Sequence, residues 1–229
     1  VDVITAEDIE SRKFKTVIEA LNSLSGVSIS SNGGIGQTSS VYLRGMDSKR
    51  TLVLIDGVRY NDITTPNGGA NFEHLMINDI ERIEVIKGAQ SSIWGADASA
   101  GVINIITKPN SKNNLIVSGE GGDFKSYAYG AASNFGTEKF RNFIQVNNSE
   151  SDGYRYNTDY KIKNIWYQNN LAIKDGNLKL MAGIQEKKFG ANGFYASPAF
   201  TDQYEEVQVS LVSAIFEKKL SENINFNAK

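Results

Sequence analysis

The sequence predicts an α+β domain followed by a run of antiparallel β-strands. Three observations carry this. Helix caps and short strands crowd the first hundred or so residues. From Asn114 the pattern changes to long segments of period-two alternation. The composition, 21 Gly with 10 Tyr and 11 Phe but only 3 Pro, suits a β-rich chain with many turns.

In chain order, Val1–Ile4 reads as a strand. Thr5 with Asp8 three residues on is a capping signal for a short helix through about Ser11. Thr16 with Glu19 repeats it, and Val17, Ile18, Leu21 and Leu24 then fall on one helical face. Gly26 stands where a helix C-cap belongs. Short strands follow at Val27–Ser30, Ser40–Leu43 and Leu52–Ile55. Asn32-Gly33-Gly34-Ile35-Gly36 between the first two is too glycine-rich for the interior of an element. Asp56-Gly57 suits a tight hairpin turn. Gly45, Gly57 and Gly101 each follow or interrupt a strand-like run, where positive φ favours glycine. Asn61–Asn71, with Pro66 and Asn67-Gly68-Gly69, reads as a second irregular loop. Ile83, Val85 and Ile86 mark a strand and Gly101–Thr107 another, so the first unit spans residues 1–109 and a second spans 110–229.

In the second unit Leu178, Leu180, Ala182 and Ile184 alternate with Asn177, Lys179, Met181 and Gln185. Val207, Val209 and Leu211 alternate with Gln208 and Ser210, and Ile224, Phe226 and Ala228 with asparagines. One greasy face and one amide-rich face suit either an open sheet on a core or a membrane barrel with a wet interior. Read as seven strands, the gaps alternate short and long past the first hairpin. NSESDGYRYNTD and KFGANGFYASPAFTDQY fall at the same end, an asymmetry expected of a membrane barrel.

Composition and motifs exclude several functions. A net charge of −2 over 229 residues supplies no basic field for nucleic acid. With no cysteine there is neither a disulfide framework nor a thiolate metal site. No apolar run approaches the ~18 residues of a membrane helix. Gly34-Ile35-Gly36-Gln37-Thr38-Ser39 lacks the third glycine of a dinucleotide fingerprint and the Gly-Lys-Ser/Thr of a P-loop. His74 is the only histidine, poor grounds for a metal or for catalysis. Asp56, Glu73, Asp79 and Glu81 are carboxylates that a hydrolase could use, but no spacing pairs two of them, and no enzyme is expected. A cell-surface adhesin, with Phe194-Tyr195 as its contact surface, is a third class.

The blocks VDVITAEDIE, LSGVSIS, YLRG, LVLIDGVRY and IERIEVIKGAQSSIWGADASAGVINIITK occur in the order seen in the plug domain of TonB-dependent outer-membrane transporters. The sequence resembles that family from Val1 to about Lys108, and later residues resemble the start of its barrel. The resemblance implies an α+β plug domain followed by antiparallel β-strands of an incomplete transmembrane β-barrel. The family's barrel needs about 22 strands; seven do not close it, and the chain stops in mid-strand, so it reads as an internal fragment. Implied partners are TonB, through a segment preceding Val1, outer-membrane lipid and a scarce, bulky nutrient. The implied location is the Gram-negative outer membrane.

Within the family, NGGIGQTSSVYLRG is similar to the plugs of cobalamin transporters. Carried over position by position, ligand contacts fall on Thr38, Ser40, Asp47, Thr65 and Pro66. Asp47 is charged where those plugs have a neutral amide, and Pro66 replaces a small hydroxyl residue. An iron–siderophore complex or haem is the alternative cargo. Some cobalamin transporters order their outer loops with calcium, on a more acidic loop than this one. Glu150, Asp152, Asn157 and Asp159 are the corresponding oxygen donors, toward the roughly six to eight that calcium takes, in a spacing that matches no EF-hand.

Overall fold

The computed structural model describes residues 1–14, 16–31, 39–62, 68–70, 72, 75, 77, 80–107, 113–191 and 202–229. The chain divides into two compact units, Val1–Lys108 and Pro109–Lys229.

In the first unit, β1 (Asp2–Thr5) runs into α1 (Ala6–Arg12). The capping box closes: Asp8 N–H donates to Thr5 Oγ1 at 3.2 Å, and Thr5 N–H donates to Asp8 Oδ2 at 2.9 Å. Thr16 caps α2 (Val17–Asn22), which buries Val17, Ala20 and Leu21. The helix ends at Ser23, still right-handed, earlier than the expected cap. Gly26, at φ +71°, instead turns the chain into β2. β2 (Val27–Ser31) and β3 (Ser39–Leu43) form a separate antiparallel hairpin.

The other strands of this unit are β4 (Thr51–Ile55), β5 (Val58–Arg59), β6 (Ile80–Lys87) and β7 (Gly101–Thr107). Together with β1 they form a five-stranded mixed sheet, ordered β1-β6-β7-β4-β5. β4 and β7 pair in parallel at its centre. A strand buried on both faces needs apolar residues throughout, and every residue of β4 is buried. One face carries Val53, Ile83, Val85, Ile103 and Ile105; the other packs Leu52, Leu54 and Val102 with Ile86 and Ala98. Ala98 arrives through α3 (Ser91–Trp94) and a 3₁₀ turn at Ala96–Ala98.

Asp56 and Gly57 link β4 to β5 with φ of +51° and +78°, the paired left-handed residues of a tight hairpin. Gly101 has φ +152°, and a Cβ there would lie 2.2 Å from the Ile86 carbonyl oxygen. Only glycine allows β7 to start so close to β6.

The second unit is a seven-stranded antiparallel meander: β8 (Asn114–Gly122), β9 (Ser126–Gly136), β10 (Phe140–Ser151), β11 (Tyr160–Ile173), β12 (Gly176–Gly190), β13 (Tyr204–Ser221) and β14 (Ile224–Ala228). The long connections, 152–159 and 191–203, share one end; the tight turns at 137–139, 174–175 and 222–223 share the other. Register fixes two faces. Val117, Ala131, Val146, Ile165 and Ile184 lie directly opposite one another in one row across five strands. Val117 is 74% exposed and Ile165 55%. Toward the long connections the same face ends in a row of Glu150, Lys161, Lys188 and Glu206, with ion pairs Lys161–Glu150 at 2.7 Å and Lys188–Glu206 at 2.8 Å. The opposite face buries Gln145, Gln168 and Gln185.

This arrangement decides between the two readings of the alternation. An open water-soluble sheet buries its apolar face and wets its amides; here the apolar row is exposed and the amides are buried, as a lipid-facing strand requires. One strand departs from the expected pattern. Val207 and Val209 of β13 pair with Lys187 and Gln185, so they lie on the amide-rich face and Gln208 and Ser210 lie with the apolar row. Alternation gives the period, while the face is set by register with β12.

Candidate functional site

The site expected from sequence consists of two loops and the turn between them. The first loop lies between β2 and β3, whose last pairs join Ser31 with Ser39 and Ser30 with Ser40. Ser40 is half-buried in β3. Thr38, Thr65 and Pro66 lie outside the described residues, as does His74.

Asp47 caps a 3₁₀ turn at Ser48–Arg50. Its Oδ1 accepts the Lys49 N–H at 3.3 Å, and Oδ2 lies 3.4 Å from Lys49 Nζ. The Lys49 N–H holds the carboxyl below its ordinary range, with the ammonium helping. The Asp47 carboxylate is thus used locally, in capping.

The second loop leaves β5 through Asn61, which sequence reasoning passed over. Its side-chain Oδ1 accepts the Val53 N–H at 2.8 Å. Its Nδ2 donates to the Thr51 carbonyl at 3.0 Å and to the Gly68 carbonyl at 3.1 Å. Asp62 N–H donates to the Gly69 carbonyl at 2.9 Å, so the loop's two ends meet. A Cβ on Gly69 would stand 3.5 Å from Ser48 Oγ. The structure therefore brings the Asp47 turn and the base of the second loop together. An asparagine just past the LVLIDGVRY run was the only signal for this.

Two of the four carboxylates considered for catalysis have structural partners. Asp56 accepts from Thr107, and Glu81 pairs with Arg82 at 2.6 Å. Glu73 and Asp79 lie outside the described residues. Arg59 of β5 pairs with Asp97 at 2.7 Å, tying the hairpin to the Ala96–Ala98 turn.

In the second unit, the connection 152–159 docks on the exit of the next one. Asn157, left-handed at φ +53°, donates from Nδ2 to the Gln203 carbonyl at 2.8 Å. Tyr204 donates its hydroxyl to Asp159 at 3.3 Å, and Tyr156 donates to Asp202. Of the expected calcium donors, Glu150 faces Lys161 and Asp152 faces Lys125, both at 2.7 Å. Among the described residues, no three His, Cys, Asp or Glu side chains gather as a metal site. Phe194-Tyr195 lies outside the described residues.

Comparison with known proteins gives a consistent picture. Residues 1–102 match the family model of the TonB-dependent Receptor Plug Domain. A protein of Vibrio vulnificus named Vitamin B12 transporter BtuB is 38% identical over 160 residues, covering 69% of this chain and 26% of that protein. Its namesake in Vibrio cholerae serotype O1 is 43% identical over 112 residues, covering 49% of this chain and 18% of that protein. The chain thus spans about a quarter or less of the length of these relatives. Among solved structures, the siderophore receptor PiuA of Acinetobacter baumannii superposes with a TM-score of 0.75, covering 99% of this chain and 35% of that one. At 19% identity that likeness shows the fold alone. Residues 1–102 are thus a plug domain of the TonB-dependent receptors, a non-enzymatic family of the Gram-negative outer membrane, and β8–β14 have the fold of barrel strands in such receptors.

Proposed function

We propose that the complete receptor imports cobalamin across the outer membrane. The observation that carries this reading is the 38–43% identity to proteins named as vitamin B12 transporters. Energy is supplied by TonB, because the outer membrane holds no nucleoside triphosphate. No covalent step is involved, so recognition and gating do all the work. Cobalamin carries many side amides and a phosphate, and such a ligand is held by hydroxyls, backbone groups and shape more than by full charges. Thr38 and Ser40 supply hydroxyls at the exit of the first loop, and Thr65 one from the second. Asp47 and Pro66 complete the set, Asp47 through the turn that it caps. The apolar row of β8–β12 faces lipid.

An iron–siderophore complex or haem is the alternative cargo within this family. The test is growth. Gram-negative cells lacking their own cobalamin importer, given the complete receptor, should grow on limiting cobalamin when TonB is present. They should fail when TonB is deleted. Growth rescue on a ferric siderophore in its place would move the assignment to iron.

A further inference from the structure

Asn61 is 9% exposed and makes three hydrogen bonds with one carboxamide. Two of them, with the Val53 N–H and the Thr51 carbonyl, lie along β4 just beyond the point where β5 stops pairing. Tyr60 N–H still reaches the Val53 carbonyl at 2.9 Å; after that the chain departs, and the Asn61 side chain takes over as β4's partner. The third bond goes to Gly68, at the far end of the second loop. The adjacent Asp62–Gly69 bond closes the loop's neck at the same place. Gly68 sits at φ +54°, and Gly69 abuts Ser48, beside Asp47.

The chemistry selects asparagine. The position needs one acceptor and two donors within a single planar group. Aspartate keeps the acceptor but sets a charge against two carbonyl oxygens. Alanine leaves a buried N–H and two carbonyls without their side-chain partner.

We propose that Asn61 is a positioning residue for ligand recognition. Its carboxamide fixes both ends of the second loop to β4 and so sets where that loop meets the ligand. The proposal rests on the reading that the plug loops bind cobalamin. It differs from a purely structural role in one respect: loss of Asn61 impairs affinity out of proportion to its effect on stability.

The experiment is a calorimetric titration of the complete receptor with cyanocobalamin, for the parent, Asn61→Ala, Asn61→Asp and Val17→Ala. Val17 is fully buried in α2, on another element, and serves as a destabilised control. The expected result is a roughly tenfold or greater weakening in both Asn61 variants, equivalent to about 1.4 kcal/mol. Val17→Ala should keep parental affinity despite a lower melting temperature. Parental affinity in Asn61→Asp, or an equal loss in Val17→Ala, overturns the proposal. Should Asn61→Ala fail to fold, Asn61→Asp decides by the same criterion. A parent that binds no cobalamin refutes the ligand reading instead. The same four proteins titrated with a ferric siderophore then decide the role of Asn61 separately.

Discussion

Asp56 and Thr107, at opposite ends of the plug's sequence of central strands, are joined by two hydrogen bonds. The Thr107 N–H donates to Oδ1 at 3.0 Å and its hydroxyl donates to Oδ2 at 2.6 Å. Asp56 N–H in turn donates to the Ile105 carbonyl at 2.9 Å. The turn residue thus clamps the β4–β5 hairpin to the end of β7. Hydrogen bonds to a charged group contribute about 1.5–3 kcal/mol. Asp56→Ala is expected to lower the opening free energy of the β7 C-terminus by about 2 kcal/mol, read as faster hydrogen exchange at Thr107 in the complete receptor. Asp56→Asn, which keeps one acceptor and tolerates the left-handed turn, should lose less. Unchanged exchange in Asp56→Ala would show that the clamp carries no energy.

Two glycines should resist substitution for different reasons. Gly57 needs its φ of +78°, and Gly57→Val is expected to cost more than ~1 kcal/mol through the turn alone. At Gly101 the obstacle is also contact: a Cβ would meet Ile86 O at 2.2 Å and Leu43 Cδ1 at 2.8 Å. Gly101→Ala should therefore force β6 and β7 apart. Chemical denaturation of the plug should place Gly101→Ala at least as low in stability as Gly57→Val. Parental stability in Gly101→Ala would refute the close approach.

Acid should loosen the plug's edges first. Hydrogen bonds from Thr5 hold Asp8 below its ordinary value of 3.8, and the Lys49 N–H does the same for Asp47. A carboxylate depressed in the folded state adds stability above its unfolded pKa and loses it as pH falls through the folded value. Both groups are exposed, so the effect is small and screened by salt. Asp8→Asn should flatten part of the decline in stability below about pH 4. An unaltered acid limb in that variant would remove the capping box from the account.

Much of this was legible in the sequence, and the physical reason is locality. The caps at Thr5 and Thr16, the Asp56-Gly57 turn and the strand periods each depend on residues close in sequence. What was not legible depends on register or distance. Nothing near Asp56 announces Thr107. Asn61 reads as an ordinary loop asparagine until β4 is placed beside it. Val207 and Val209 alternate correctly, yet their face follows from pairing with Lys187 and Gln185. Gly26 looked like a helix cap because positive φ serves helix ends and strand entries alike.

The central claim is that cobalamin is held by hydroxyls of the two plug loops. It is tested most directly by titrating the complete receptor with cyanocobalamin, comparing the parent with the double variant Ser40→Ala, Thr65→Ala. The account predicts that the parent binds and that the double variant binds more weakly by roughly 1–3 kcal/mol with unaltered folding, the usual loss for hydrogen bonds left unmade. A parent without cobalamin affinity, or a double variant with affinity undiminished, would contradict it.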